Sequence, residues 1–134
     1  MATQIFVNLP VKDLNRSMDF FSSLGFNFDP KFTDEKAACM IISDDIYAML
    51  LREEFFKTFT KKEIADATKN TECILALSAE SRDKVNEMVN KAKEAGGTLS
   101  KEVKDHGWMY EWGFQDLDGH LWEVFYMDKA AIPY

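Results

Sequence analysis

The sequence predicts an α+β fold of two tandem βαβββ modules, which form one curved, cup-like mixed sheet with the helices outside. Each half of the chain opens with a short apolar strand, continues with a capped helix that ends at glycine, and closes with further strands. One such module is too small to bury its sheet alone, so the two are expected to share one core. The 134 residues are predicted to be a single domain, with module one at about 3–52, a linker helix at about 53–70 and module two at about 71–128.

Module one begins with an alternating apolar strand at residues 5–9. Asp13 is the predicted N-cap of a helix that ends at Gly25, because a side-chain oxygen can accept from the first free N–H groups and glycine tolerates the left-handed exit. Two strands follow at 37–42 and 46–51, and they are expected to form a hairpin.

A linker and a second copy of the same pattern follow. The segment from Glu53 to Thr68 is predicted to be an amphipathic helix or a pair of helical turns, which packs on the sheet or a partner subunit or covers a pocket. Ser81 is the predicted N-cap of a helix that ends at Gly96. The strands of module two are expected at 73–78, 99–103, 109–114 and 120–127.

Charge and composition argue against several classes of function. A formal net charge of −7 argues against a nucleic-acid partner, because phosphate binding requires a basic face. No apolar run approaches the roughly 20 residues of a membrane span, and the N-terminus lacks the pattern of a signal peptide, so a cytoplasmic protein without membrane contact is expected. Cys39 and Cys73 lie in apolar, strand-like runs and are expected to be reduced core thiols.

Glu123 is a charged residue among apolar neighbours in the sequence. It lies in an aromatic-rich strand between Trp122 and Val124, after a turn formed by residues 116–119. A carboxylate at such a place is costly to bury unless a partner compensates it. The residue is therefore a ligand, a base or half of a structural ion pair, and it is the only acid expected on its face of the sheet.

Three motifs support a family resemblance. The segment LPVKDL at 9–14 leads into SMDFF at 17–21, LGF at 24–26 ends the helix, and FQDLDG at 114–119 precedes Glu123. In this order, within a doubled βαβββ chain, they resemble the vicinal oxygen chelate superfamily, which contains glyoxalase I, bleomycin-resistance proteins and extradiol dioxygenases. The resemblance covers nearly the whole chain. The sequence is also similar to the branch of predicted lactoylglutathione-lyase relatives.

The resemblance also locates the metal site of the superfamily. Its metal-dependent members place one ligand, usually His or Glu, on each of four strands, and these positions fall here on Phe6, Met49, Ile74 and Glu123. Only Glu123 offers an anionic oxygen, and Asn8 offers a neutral amide on the same face as Phe6. We therefore expect no metal centre and no cofactor, which argues against glyoxalase I chemistry.

The resemblance implies a cup that binds a small molecule. The expected ligand-binding residues are Phe6, Asn8, Tyr47, Met49, Ile74, Trp108, Tyr110 and Glu123, although Trp108 and Tyr110 can equally be core residues. The leading hypothesis is sequestration of a small organic ligand, as in bleomycin-resistance proteins. The alternative is a lyase or isomerase in which Glu123 is the general base and His106 assists it.

The resemblance also implies a homodimer, because members of the superfamily commonly close the cup with a second chain. Phe55, Phe56 and Phe59 are the candidate residues for part of the contact.

Overall fold

The computed structural model describes residues 3–99 and 101–133, and the chain divides into two compact units with their boundary between Ala65 and Asp66. Each unit contains one four-stranded mixed sheet and one long helix. The predicted α+β class and the two βαβββ modules are confirmed, and the boundary falls inside the predicted linker at 53–70.

The sheet of the first unit has the strand order β1-β4-β3-β2, with β1 parallel to β4 and the other pairs antiparallel. Its helix α1 begins after Asp13, whose Oδ1 accepts from the N–H of Arg16 at 3.1 Å, and it ends before Gly25, which has φ +102°. Both helix ends are as predicted. The elements are β1 (Ile5–Val11), α1 (Leu14–Ser23), β2 (Asn27–Phe28), β3 (Ala37–Ser43), β4 (Ile46–Arg52) and a short α2 (Glu53–Phe56).

The strands of the first sheet separate a buried face from an open one. Leu9 of β1 and Leu50 of β4 lie opposite each other and are buried, as are Phe20 and Phe21 of α1. Because side chains alternate along a strand, Phe6 and its neighbours at period two lie on the other face. The core of this unit therefore lies between α1 and one side of its sheet.

The second unit repeats this arrangement with the strand order β5-β8-β7-β6, in which β5 and β8 are parallel. Its helix α3 begins after Ser81, whose Oγ accepts from the N–H of Lys84 at 3.1 Å, and it ends before Gly96, which has φ +104°. The helix packs on β7 and β8 through Val85, Val89 and Ala92. The elements are β5 (Ile74–Ser78), α3 (Arg82–Glu94), β6 (Lys104–Asp105), β7 (Met109–Gln115) and β8 (Leu121–Met127).

The strand register confirms the predicted internal repeat. Asn8 of β1 lies opposite Met49 of β4, and Ala76 of β5 lies opposite Glu123 of β8. Met49 and Glu123 are thus at equivalent places in the two modules.

One predicted strand is wrong. The strand predicted at 99–103 is absent from the described residues there; Thr98 makes one bridge to Gln115, β6 begins only at Lys104, and Ser100 lies outside the described residues. Of the two alternatives for the linker, the structure contains the pair of helical turns, since the short α2 is followed by a 3-10 turn at Lys57–Phe59. The hydroxyl of Thr58 donates to the carbonyl of Phe55 at 2.7 Å, and such local side-chain bonds compete with helix continuation.

The two cysteines differ. Cys39 is buried in β3, as predicted, and burial raises the pKa of its thiol. Cys73 is exposed, so the prediction of a core thiol is wrong there; the residue precedes the first residue of β5, and the strand does not cover it.

None of the helices in the described part of the chain combines the length and apolar character that a bilayer crossing requires.

Candidate functional site

Glu123 lies on the face of the second sheet that is turned away from the buried core. Its neighbours along β8, Trp122 and Val124, are buried. Because successive side chains of a strand point to opposite faces, Glu123 points away from that core, together with Leu121 and Phe125. We call this side of the second sheet the open face.

The residues next to Glu123 on the open face are the smallest available. Glu123 pairs with Gly113 on β7 and with Ala76 on β5. A β-carbon at Gly113 would lie 2.6 Å from the carbonyl oxygen of Trp122 and 3.5 Å from Cγ of Glu123. Since Gly113 has no side chain and Ala76 has only a methyl group, the space beside the carboxylate is left to residues outside these strands.

Lys101 fills that space. Its ammonium Nζ donates to Oε1 of Glu123, and its backbone carbonyl accepts from Nε1 of Trp112 at 3.1 Å. The side chains of Glu123 and Lys101 are 22% and 37% exposed. Of the three roles that the sequence left open for Glu123, the structure contains the ion pair.

A second carboxylate lies on the open face, so the expectation that Glu123 is its only acid is wrong. Glu111 pairs with Phe125, two residues from the Gly113–Glu123 pair, and diagonal neighbours in a sheet are about 7–8 Å apart. Nε2 of His106 lies 3.5 Å from Oε1 of Glu111. His106 thus lies beside Glu111, and the predicted contact between His106 and Glu123 is not among the described ones.

The turn that carries His106 is held from α3. The guanidinium of Arg82 donates to the carbonyl of Gly107 at 2.9 Å and lies 3.5 Å from Oδ1 of Asp105. The N–H of Gly107 donates to the same Oδ1 at 2.9 Å, and this bond, with Arg82 adding to it, lowers the pKa of Asp105. Arg82 therefore contacts both neighbours of His106, the side chain of Asp105 and the backbone of Gly107.

Tyr110 does not share a face with Glu123. It pairs with Tyr126, on the side of the sheet that α3 covers, and its hydroxyl donates to Oδ1 of Asn86 on that helix at 2.6 Å. The guanidinium carbon of Arg82 lies 5.7 and 5.6 Å from the ring centroids of Tyr110 and Tyr126. Tyr110 is half-buried and contacts α3, on the face opposite to Glu123.

Trp108 is half-buried and lies just before β7. Its carbonyl accepts from the N–H of Asp128 at 2.8 Å, which ties the start of β7 to the end of β8. No described contact joins Trp108 to Glu123, so its assignment to the ligand site stays a prediction.

Four predicted ligand-binding residues share one face of the first sheet. The rings of Phe6 and Tyr47 stack with centroids 4.6 Å apart, and Asn8 lies opposite Met49. The amide of Asn8 donates to the carbonyl of Phe6 at 3.2 Å, and Phe6 is 46% exposed. This face is apolar and aromatic around these residues, and Asn8 places a neutral amide opposite Met49.

These residues do not fit the metal site of the superfamily. Of the four positions carried over from it, Phe6 and Ile74 have no donor atom, Met49 offers a thioether, and the carboxylate of Glu123 is engaged by Lys101. Across residues 3–99 and 101–133, no group of three or more His, Cys, Asp or Glu side chains is arranged to hold a metal ion.

Asp116 fixes the hairpin that carries Glu123. Its Oδ1 accepts from the N–H groups of Asp118 and His120, both at 3.0 Å, and its Oδ2 accepts from Nε1 of Trp122 at 3.0 Å. Burial raises the pKa of Asp116, although His120 and the hydrogen bonds oppose this shift. The turn and the strand after it are therefore linked through one buried carboxyl group.

The chain is similar to known proteins over nearly its whole length. The family model of the Glyoxalase/Bleomycin resistance protein/Dioxygenase superfamily matches residues 4–124. A hypothetical protein from S. aureus has a similar structure, with a TM-score of 0.79, 29% identity, and coverage of 94% of this chain and 95% of that one. A comparison with curated proteins found no match to the chain.

Two further solved structures show the same fold at lower identity. A glyoxalase/bleomycin resistance protein/dioxygenase family enzyme from Burkholderia phytofirmans PsJN has a TM-score of 0.80 at 15% identity, covering 94% of this chain and 99% of that one. An antibiotic-binding protein from Streptomyces sp. CB03234 has a TM-score of 0.67 at 17% identity, covering 95% and 97%. At these identities the likeness concerns the fold.

Proposed function

Because the chain belongs to the glyoxalase/bleomycin resistance protein/dioxygenase superfamily, we propose that it binds a small organic molecule on the open face of its second sheet, without a metal ion. One observation carries the proposal. The open face combines apolar side chains that water can reach with two half-buried carboxylates, Glu111 and Glu123. Apolar surface with a few fixed polar groups is typical of small-molecule sites.

The apolar part of this surface surrounds Glu123. Leu121 and Phe125 lie two residues to either side of it on β8 and are half-buried, and Ile74 on β5 is 49% exposed. A ligand that covers exposed apolar area of this kind stabilises the complex by about 25 cal/mol per Å² of area removed from water. The antibiotic-binding protein from Streptomyces shows that this fold can serve binding, which supports the same class of function here.

Absence of a metal centre belongs to the proposal as well. It is supported by the donor atoms: one carboxylate among four positions is too few for a tight divalent site, and an ammonium group already lies against that carboxylate. The aromatic face of the first sheet, with Phe6, Tyr47 and Met49, is proposed as a second surface for ligand contact.

A lyase or isomerase of the lactoylglutathione-lyase-like branch is the second candidate. The observation that favours it is the contact between His106 and Glu111, because a histidine beside a carboxylate is suited to proton transfer. In this version Glu111 orients His106, and Glu123 is a separate acid on the same face. Turnover without added metal, abolished by His106→Gln, would favour this candidate over simple binding.

The substitution Glu123→Gln tests the proposed site. We expect benzyl alcohol, a neutral aromatic probe, to bind on the open face and to lose about tenfold or more in affinity in the variant, since hydrogen bonds to charged groups contribute about 1.5–3 kcal/mol. The measurement is an NMR titration that follows shifts at Ile74, Leu121 and Phe125. The matched control Glu80→Gln removes an exposed carboxylate elsewhere in the same module and should leave the affinity unchanged. Equal affinities of wild type and Glu123→Gln would contradict the role of Glu123.

We also expect a homodimer that uses the segment after β4. Phe59 is 67% exposed, and its ring lies 5.0 Å from that of Phe55. Light scattering at micromolar concentration should give the mass of two chains, and Phe59→Ser should lower it. Phe32→Ser, which changes another exposed phenylalanine, is the control and should leave the mass unchanged. A monomeric wild-type protein would refute the expectation.

A further inference from the structure

We propose that the ligand of the open face is an organic ammonium compound, and that Lys101 occupies the position of its cationic group until the ligand displaces it. The inference rests on the proposed function and deepens it by naming the class of ligand. Three features support this inference: the small size of the strand partners of Glu123, the attachment of Lys101, and the distribution of charge on the open face.

The space beside Glu123 is suited to a group that comes from outside the sheet. Gly113 and Ala76 flank the carboxylate, and a β-carbon at Gly113 would meet the carbonyl oxygen of Trp122 at 2.6 Å. Glycine is thus required at this position by the close approach of the backbone. Because these partners are glycine and alanine, neither has a side chain that can pair with the carboxylate, and the ammonium of Lys101 does so.

Lys101 is attached so that its side chain can leave. The residue belongs to no strand; it lies between the bridge at Thr98 and the start of β6. Its backbone is held by Nε1 of Trp112, so only the four-carbon stem has to rotate for Nζ to release Glu123. Ion pairs with partly exposed side chains are weak, and the released ammonium is rehydrated.

The charges on the open face direct a cation to Glu123. The other carboxylate, Glu111, has basic neighbours of its own, since Lys104 is its partner on β6 and His106 lies 3.5 Å from it. Once Lys101 moves away, Glu123 is an uncompensated anion beside apolar surface, which is unfavourable unless another cation replaces the ammonium. The net charge of −7 attracts cations to the chain as a whole.

The apolar neighbours of Glu123 indicate the rest of the ligand. Ile74, Leu121 and Phe125 lie two residues from Ala76 or Glu123 along their strands and on the same face. An ammonium group at Glu123 would therefore be followed by an aromatic or aliphatic body that covers these side chains.

Lys101→Met tests the proposal, because methionine keeps an unbranched apolar stem and removes the competing ammonium. Three probes of one shape are titrated by NMR: benzylamine, benzyl alcohol and benzoate. We expect benzylamine to bind about tenfold more tightly to Lys101→Met than to wild type, since one competing charge-assisted hydrogen bond is gone. Any gain for benzyl alcohol should be smaller than the gain for benzylamine, because its hydrogen bond to Glu123 is not charge-assisted on both sides, and the gain for benzylamine should vanish when Glu123→Gln is added.

Two controls separate displacement from general charge effects. Lys104→Met removes a lysine from the same face and should leave benzylamine affinity within about twofold, because Lys104 faces Glu111. Lys101→Arg keeps a cation at the site and should give no gain. The dispersion of the amide spectrum of each variant shows that it is folded.

Three outcomes overturn the inference. Benzylamine affinity that is unchanged or weaker in Lys101→Met shows that Lys101 is no competitor. Benzoate that binds wild type more tightly than benzylamine, and loses this advantage in Lys101→Met, shows that the site takes anions. If none of the probes, benzyl alcohol included, shifts the open face, the proposed function itself fails and the inference fails with it.

Discussion

Asp116→Ala is expected to lower the free energy of unfolding by roughly 3 kcal/mol or more, because three N–H donors lose their acceptor and one of them, Nε1 of Trp122, is buried. Urea denaturation of wild type and variant measures the difference. Asp34→Ala is the matched control: its Oδ1 accepts from the N–H groups of Lys36 and Ala37 in an exposed turn, and its loss should cost about 1 kcal/mol. Equal losses in the two variants would show that burial adds nothing.

The effect of Asp116→Ala should also depend on pH. Burial raises the pKa of Asp116 above the ordinary 3.8, so the folded state binds the proton more tightly than the unfolded state does. The stability that this adds is complete below a pH of about 3.8 and is lost as the pH rises through the raised pKa. Alanine cannot titrate, so the loss of stability on substitution is expected to be larger near pH 4 than near pH 7. A smaller loss near pH 4 would contradict this sign.

Gly119→Ala is expected to have a second large effect, about 4 kcal/mol of unfolding free energy, through strain and overlap together. Gly119 has φ +90°, and a β-carbon there would lie 2.8 Å from the backbone nitrogen of Thr68 and 2.9 Å from the carbonyl of Ala67. Backbone atoms cannot move aside as a flexible side chain can, so the hairpin turn or the 67–68 segment would have to shift.

Gly107→Ala provides the control for Gly119→Ala. Gly107 has a similar φ of +84°, but a β-carbon there would meet nothing within 4 Å. It should therefore show the conformational cost alone, about 1 kcal/mol. Equal denaturation midpoints for the two variants would refute the overlap at Gly119.

Features that depend on neighbouring residues along the chain were predicted correctly from the sequence. Asp13 and Ser81 cap helices, and Gly25 and Gly96 end them, because capping involves only a few consecutive residues. The equivalence of Met49 and Glu123 was also predicted, because both modules repeat the same strand and turn pattern.

The partners of Glu123 and His106 were missed for two different reasons. The position of Lys101 depends on the path of a loop, which no periodic pattern encodes. Glu111 could have been found by counting from the turn, since pairing of Gln115 with Leu121 puts Gly113 opposite Glu123 and Glu111 on the same face. The aromatic residues of β7, Tyr110, Trp112 and Phe114, were the focus of the sequence-based prediction, and they lie on the opposite face from Glu111.

The two modules offer the same backbone pairing with different chemistry on it. Where β8 presents an acid between glycine and alanine, β4 presents a thioether between Asn8 and Cys39, in the same strand order. The carboxylate at this position thus belongs to one of the two repeats, and substitutions in β8 can alter it independently of β4.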